Sequence, residues 1–164
     1  MPTVTSRLPA LIDYLVALFT ADATLGAATP AVTVYDGPPT TALDAPLKLY
    51  VGLTDPDNDQ IQPAAEFSQN WAALGRRGRD ETVTVHHCAE AWSGVDDIHT
   101  VRLAVTGIVA AVETLMQADS TQFGGNVLFP DPGIATGVLL QNNTTKGAIA
   151  QVPFDVTFRN RIGG

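Results

Sequence analysis

Residues 82–116, TVTVHHCAEAWSGVDDIHTVRLAVTGIVAAVETLM, decide the fold, because a strand pattern runs directly into a helix pattern there. In residues 83–91 one face would carry Val83, Val85, His87, Ala89 and Ala91, and the more polar residues between them would lie on the other face. This alternation with a period of two is typical of a β-strand. Ser93 and Asp96 then stand at capping-box spacing. The apolar stripe that follows has helical spacing and comprises Ile98, Val101, Val105, Ile108, Val109, Val112, Leu115 and Met116. It predicts a helix over about residues 95–118 that is covered on one side.

One helix and three strands are predicted before this segment. Apolar side chains recur at helical spacing at Leu8, Leu11, Ile12, Leu15, Leu18 and Phe19. With Ser6 as the N-cap and Pro9 in the first turn, they predict a helix over about residues 8–22. β-Rich or alternating runs bounded by turn residues predict three strands, at residues 32–35, 47–53 and 66–74.

The last third of the chain is predicted to add further strands. Residues 127–129 and 134–142 have strand-like runs, and residues 151–162 show the cleanest alternation in the chain. Pro153 cannot donate to a ladder, so this last strand is expected at an edge or with a bulge. We predict a single α+β domain over residues 1–164. Its mostly antiparallel sheet has about five to seven strands, with two helices packed on one face.

The composition indicates a domain that folds without disulfide bonds or metal sites. The 164 residues are 45% apolar, which is enough to bury a core, and the single Cys88 excludes an intramolecular disulfide. The stretch from Leu8 to Phe19 is too short for a membrane span and lacks the layout of a signal peptide. We therefore expect a soluble protein that folds in the cytoplasm, with no membrane partner.

The charge of the chain disfavours a nucleic-acid-binding role. Seventeen acidic residues against nine basic ones give a formal net charge of −8. Affinity for a phosphate backbone comes largely from Lys and Arg, so an acidic surface repels it.

One acidic segment has part of a calcium-binding pattern. Positions 1, 3, 5 and 12 of an EF-hand-like loop are occupied by Asp55, Asp57, Asp59 and Glu66. The pattern then fails, because Gln60 replaces the glycine of the sharp turn and Pro63 interrupts the loop. A solvated acidic loop is the better interpretation.

Three side chains invite a metal interpretation. His86 and Cys88 share one face of the predicted strand, and His99 follows in the helix. No third ligand lies at a motif spacing, so we predict packing residues and neither a metal nor another cofactor.

Ser93, His87 and Asp96 can be assembled on paper as nucleophile, base and orienter. The chain has no Gly-x-Ser-x-Gly elbow, and Ser93 is better explained as a helix cap. We predict no catalytic residues and a protein that is not an enzyme.

The only basic cluster contains Arg76, Arg77 and Arg79 and is followed at once by Asp80 and Glu81. This order favours a turn that forms salt bridges within the subunit or to a neighbour, rather than a phosphate site. We predict that these arginines contact another subunit. Large aromatic side chains are usually core residues, which is the default for the two tryptophans, but Trp92 is also a candidate for a subunit seam.

Several segments, in this order, resemble one family. They are VYDGP (34–38), LYVG (49–52), DETVTV (80–85) running into AWSG (91–94), Gly124–Gly125, and FRNRI (158–162). Their order and the chain length resemble the tail-terminator, or tail-completion, proteins of long-tailed bacteriophages, especially those infecting actinobacteria. The likeness covers nearly the whole chain.

The resemblance implies an α+β protomer that assembles in the host cytoplasm into a ring, typically a homohexamer. The ring sits in the virion at the head-proximal end of the tail tube, where it stops polymerisation of the tail tube protein. It also presents a surface to the head-completion, or connector, protein, and DNA passes through its lumen without specific binding. The family has no catalytic residues to transfer.

Two other functions stay open. A neighbouring head-to-tail connector or stopper protein would bind the portal side instead. A small-ligand-binding or hydrolytic domain would use a cleft between the sheet and the second helix, with His86, His87 or Ser93 in it.

Overall fold

The structure is a computed structural model that describes residues 5–28, 30–39, 44–72, 78–95, 97–127 and 133–163. It confirms the predicted α+β class, with a seven-stranded, mostly antiparallel sheet. The elements in chain order are α1 (Leu8–Ala21), β1 (Thr33–Asp36), β2 (Leu47–Val51), β3 (Ala65–Trp71), β4 (Arg79–Ser93), α2 (Ile98–Ala118), α3 (Gln122–Gly125), β5 (Ile134–Gly137), β6 (Leu140–Thr144) and β7 (Gly147–Ile162).

Two long strands form the centre of the sheet. β4 and β7 pair antiparallel along their whole length, from Arg79 opposite Ile162 to Ser93 opposite Ala148. On the outer side of β4, β2 pairs with the half near Ser93 and β3 with the half near Arg79. On the outer side of β7, β6 pairs with residues 147–151 and β5 with residues 154–156, and residues 157–162 have no partner there among the described residues. β1 pairs parallel with β2, which makes the sheet mixed.

Both long helices cover the same face of the sheet, as predicted. α1 contributes Leu11, Leu15 and Phe19 to the core, and α2 contributes the stripe from Val101 to Met116. The inward side chains of the strands meet them: Leu49, Val51, Val83, Val85, Ala89, Phe154, Val156 and Phe158. The alternation therefore assigned the faces of β2, β4 and β7 correctly. Burial of these side chains is the main stabilising contribution to the fold.

The opposite face of the sheet is partly polar. A small second cluster buries Tyr50, Leu53 and Cys88, and Tyr35 stacks on Tyr50 with ring centroids 5.2 Å apart. The rest of this face carries polar or charged side chains, including Lys48. No helix covers this face among the described residues, so it is where a partner or ligand can approach.

The start of α2 differs from the prediction. The helix begins at Ile98 with Asp97 as its N-cap, and Asp97 Oδ1 accepts hydrogen bonds from the amides of His99 and Thr100 at 3.1 and 3.3 Å. Ser93 ends β4 and accepts instead from the Val95 amide at 3.3 Å. The predicted capping box was placed too early in the chain, because a capping carboxylate must directly precede the first helical residue.

α2 is also the one described helix that is long and apolar enough to cross a membrane by length and composition. In this fold its apolar stripe lies against the sheet, with Val105 and Val112 fully buried. Its apolar character is therefore explained by the core it covers.

The strand predicted over residues 134–142 is two strands. β5 and β6 pair with successive parts of β7, and the break between them lies opposite Pro153. β7 is therefore not an edge strand, and the irregular register lies in β5, between Ile134 and Thr136. The Pro153 carbonyl accepts from the Val138 amide, so the missing N–H faces the break, where no ladder donor is needed.

The strand predicted at residues 127–129 is not seen at Val127, and residues 128–129 lie outside the described range. The segment before it contains α3, a single irregular turn in which Phe123 and Gly124 have positive φ. Phe123 is nevertheless fully buried, with its ring edge-on to Phe158 at 5.1 Å. α3 therefore supports the core at the end of α2.

Candidate functional site

His87 is a core residue and is not placed to act as a base. It is completely buried, stacks on Phe154 with centroids 5.0 Å apart, and donates from Nδ1 to the Val85 carbonyl at 3.1 Å. Burial lowers its pKa to about 4 and keeps the ring neutral. Ser93 lies six residues further along the same strand, so it does not stand beside His87. Asp96 lies outside the described residues.

His86 points to the opposite face and forms an ion pair with Asp155, with Nδ1 2.6 Å from Oδ1. Asp155 Oδ2 also accepts from Thr136 at 3.3 Å. An aspartate that orients a histidine supplies two of the three members of a catalytic triad. However, His86 Nε2 is buried without a hydrogen-bond partner, so no described hydroxyl or thiol completes it.

Cys88 is the nearest thiol on that face, and it is inert in its setting. The side chain is buried, and burial together with Glu90 raises the pKa of the thiol to about 12. A protonated, inaccessible thiol is neither a nucleophile nor a metal ligand at neutral pH. Among the described residues, no group of three or more His, Cys, Asp or Glu could hold a metal ion.

The acidic loop after β2 closes on itself. Gln62 donates from Nε2 to the carbonyls of Asp55 and Asn58 at 2.6 and 3.0 Å, and its Oε1 accepts from the Asp55 amide. Asp55 Oδ1 accepts from the amide of Asp57. Of the carboxylate oxygens that an EF-hand would turn toward calcium, Asp55 Oδ1 is thus used inside the loop, and Asp57 Oδ2 accepts from Gln151 outside it.

The predicted basic cluster falls only partly within the described residues. Arg76 and Arg77 lie outside them, and Arg79 begins β4 opposite Ile162. Asp80 pairs with Arg161 of β7, with Nε 2.7 Å from Oδ1.

Glu81 is also used within the subunit, and it is fully buried. It accepts from the Arg7 amide at 3.0 Å and from Gln69 Nε2 at 2.9 Å. Neither acid that follows the arginine turn pairs with a described arginine of that turn.

A groove of about 510 Å³ opens on the uncovered face of the sheet, between β2, β4 and the loops that flank β2. Its volume is in the range of ordinary ligand sites. Its lining includes three acidic residues, one basic residue and two aromatic residues: Asp44, Asp57, Glu90, Lys48, Tyr50 and Trp92.

The floor of the groove is a hydrogen-bonded ion pair. Lys48 Nζ lies 2.5 Å from Glu90 Oε1, and both side chains are largely buried. Gln151 joins this pair to the rim, because its Nε2 donates to Glu90 Oε2 at 2.9 Å and to Asp57 Oδ2 at 3.0 Å. Burial, followed by the charge of Glu90, raises the pKa of Tyr50, so its phenol stays protonated. The groove therefore has a fixed polar floor with excess negative charge.

Neither tryptophan is a core residue, which was the default for both, with a subunit seam as the alternative for Trp92. Trp92 is 42% exposed and forms one wall of the groove, and Trp71 is 73% exposed at the end of β3. The physical reason is that Trp92 points to the face of the sheet that no described helix covers, and Trp71 lies at the end of an outer strand. The structure puts Trp92 on an accessible surface, which is compatible with a subunit seam.

Two of the outer strands, β3 and β6, lie at diagonally opposite corners of the sheet, and β1 and β5 are the other outer strands among the described residues. β3 flanks the Arg79 half of β4, whereas β6 flanks β7 beside the Ser93 half. Within the described residues neither strand has a partner on its outer side. β3 exposes Phe67 and Trp71, and the segment that leads into β6 exposes three further apolar side chains, Val138, Leu139 and Leu140.

The predicted interface residues are spread along one strand. Arg79 and Trp92 stand at opposite ends of β4. The groove lies on the face opposite α2, and neither His86 nor His87 lines it. Lys48 and Glu90 were predictable as outward side chains. Their pairing needed the β2–β4 register, which a single sequence does not reveal.

The chain matches no protein-family model and no curated protein. Its function is therefore inferred from the groove, the sheet edges and the charge of the chain itself.

Proposed function

We propose that this chain is a structural virion protein that assembles into a ring on the head-proximal end of a phage tail tube. There it ends tube polymerisation and offers the surface to which the head is joined. The observation that carries the proposal is the pair of open, apolar-lined sheet edges at opposite corners of the subunit.

Open edges are unusual on a protein that stays monomeric. An unpaired strand offers a row of N–H and C=O groups to other chains, and monomers usually blunt it with charge, proline or a covering element. β3 instead presents Phe67, which is 56% exposed, and Trp71. Burial of such side chains against another subunit would be favourable.

The placement of the edges favours a ring. Because the two edges differ in sequence and lie at opposite corners, a contact between them is head-to-tail. Head-to-tail contacts close into rings when the rotation between subunits permits it. A two-fold dimer would use one edge twice and leave the other open.

The charge of the chain is compatible with a DNA conduit. A formal charge of −8 disfavours tight binding of a phosphate backbone, so DNA could pass through the lumen of such a ring.

The assembly is tested first in solution. Light scattering gives the mass of the particle, and negative-stain imaging gives its shape; we expect a ring, with six subunits as the leading stoichiometry. Trp71→Lys should lower the assembled fraction, because it places a charge on the β3 edge. Ile61→Lys is the matched control, since Ile61 is fully exposed in a loop. A parent protein that stays monomeric at all concentrations would contradict the proposal.

The position in the virion is tested with tails. A phage that lacks the protein should make overlong tails, and purified protein should bind the ends of tail tubes. Tails of normal length that fail to join heads, together with a ring on the portal side, would instead identify a connector or stopper. Normal tail length with no binding to tube ends would refute the terminator function.

A further inference from the structure

We propose that the groove beside Trp92 receives arginine side chains of residues 76–79 from a second copy of the chain. This inference rests on the proposed ring and assigns one of its subunit contacts. The groove is the acceptor near the Ser93 end of β4, and the arginine segment, whose last arginine begins the same strand, is the donor.

The chemistry of the groove suits a guanidinium group. Asp44 and Asp57 line it, and among the described residues neither forms an ion pair with a basic side chain. Lys48 is already engaged by Glu90, so the carboxylates at the rim are not neutralised by the floor. Carboxylates accept the paired N–H groups of arginine in a bidentate geometry.

Trp92 adds a second recognition element. Its indole is part of the wall and is partly exposed, and an arginine stacks well on an indole face. A groove that combines an indole with two carboxylates selects a planar cation over a neutral or anionic ligand.

The same subunit cannot supply this arginine. The β4 residue opposite Tyr50 of the groove is Cys88, nine residues from Arg79, which is about 30 Å along a strand. Ala72 and Gly78, which flank residues 73–77, are joined by a hydrogen bond from the Ala72 amide to the Gly78 carbonyl at 3.0 Å. Five residues between two such ends extend at most about 10 Å from them.

A second copy can supply it. Three of the nine basic residues of the chain fall within residues 76–79, opposite in sign to the groove with its three carboxylates and one ammonium. Ala72 and Gly78, which flank the segment, lie at the end of the open β3 edge, and the groove lies toward the other end of β4, on the side of β2. The donor and the acceptor are therefore different surfaces of the subunit, so a contact between them is head-to-tail.

Charge reversal tests the contact. Arg76→Glu with Arg77→Glu, and separately Asp44→Arg with Asp57→Arg, should each raise the dissociation constant of the subunits at least about tenfold. The matched control is Lys146→Glu with Arg159→Glu, because both side chains are exposed and the pair changes the net charge as much as the loop variant does. Thermal unfolding of each variant checks that the fold is kept.

Mixing the two charge-reversed variants distinguishes this subunit contact from a general effect of charge. The loop variant keeps an acidic groove and gains an acidic loop, whereas the groove variant has a basic groove and a basic loop. Each should stay dissociated alone, and an equimolar mixture should reassemble with alternating subunits. Reassembly supports the proposal. Rings that survive both reversals would overturn it while leaving the proposed ring intact.

A peptide gives a readout that does not depend on assembly. In a Trp71→Phe background Trp92 is the only tryptophan, so its fluorescence reports on the groove. A synthetic peptide of residues 72–81, AALGRRGRDE, should change this fluorescence and bind more weakly as salt rises. The same peptide with both Arg76 and Arg77 changed to Glu should not bind.

If the parent protein is monomeric, the ring proposal fails, and this titration alone decides the ligand of the groove. Absence of peptide binding would then overturn the inference as well.

Discussion

Replacement of His87 by phenylalanine should remove a large part of the acid sensitivity of the fold. The His87 ring lies between Phe154 and Phe19, and its Nδ1 donates to the Val85 carbonyl. Its Nε2 is buried with no partner, so a second proton would place a charge against hydrocarbon. This is why burial lowers the pKa from the ordinary value of 6.5 to about 4.

The size and sign of the effect follow from proton linkage. Between the folded pKa near 4 and the unfolded value of 6.5, the unfolded chain binds more protons, so acid favours unfolding. Between pH 7 and pH 5 this histidine alone should lower the free energy of unfolding by about 2 kcal/mol. By pH 4 the loss should be about 3 kcal/mol. Above pH 6.5 this loss is nearly zero. For comparison, the total free energy of unfolding of a small domain is about 5–15 kcal/mol.

Urea unfolding at pH 7, 6 and 5 measures this loss for the parent, His87→Phe and His87→Leu. Two replacements of different volume separate the pH dependence from the effect on packing, because only the difference between pH values is compared. The exposed His99 gives the control His99→Gln, which should keep the acid sensitivity of the parent. Equal loss of stability between pH 7 and pH 5 in the parent and in both His87 variants would refute this reasoning.

Four further results are expected for the fold. Gly107→Ala should stabilise α2 by about 1 kcal/mol in urea unfolding, because the added methyl meets open space. Gly147→Ala should instead prevent normal folding, since its φ is +130° and the new Cβ would lie 2.0 Å from the Ser93 carbonyl oxygen. Leu15→Ala should cost about 2–5 kcal/mol, because the side chain is fully buried. Cys88 should react with a thiol reagent only after unfolding.

Each of these results has a clear contrary outcome. A destabilised Gly107→Ala would mean that the outer side of α2 is covered. A well-folded Gly147→Ala would contradict the described close approach of the β6–β7 turn to the end of β4. Little loss for Leu15→Ala would place α1 outside the cooperative core, and rapid labelling of native protein would show that Cys88 is accessible.

Local patterns predicted much of the fold from the sequence. The alternation in residues 151–162 assigned the two faces of β7, and the apolar stripe from Val101 to Met116 located α2. These features are readable because side-chain periodicity follows directly from backbone geometry. Boundaries were less accurate, as with Asp97, because a cap depends on which of several neighbouring carboxylates the chain turns toward the helix.

The sequence by itself therefore determined the α+β class, the buried face of each main strand and the acidic surface. Only the tertiary structure decided the strand order and the registers, and with them which distant side chains meet. It brought Lys48 to Glu90 across 42 residues, and it put Arg79 and Trp92 at opposite ends of one strand. The physical reason is that periodicity is local, whereas strand pairing joins segments whose spacing in the chain sets no unique partner. A surface for assembly depends on those long-range pairings, so the groove and the open edges became visible only in the folded chain.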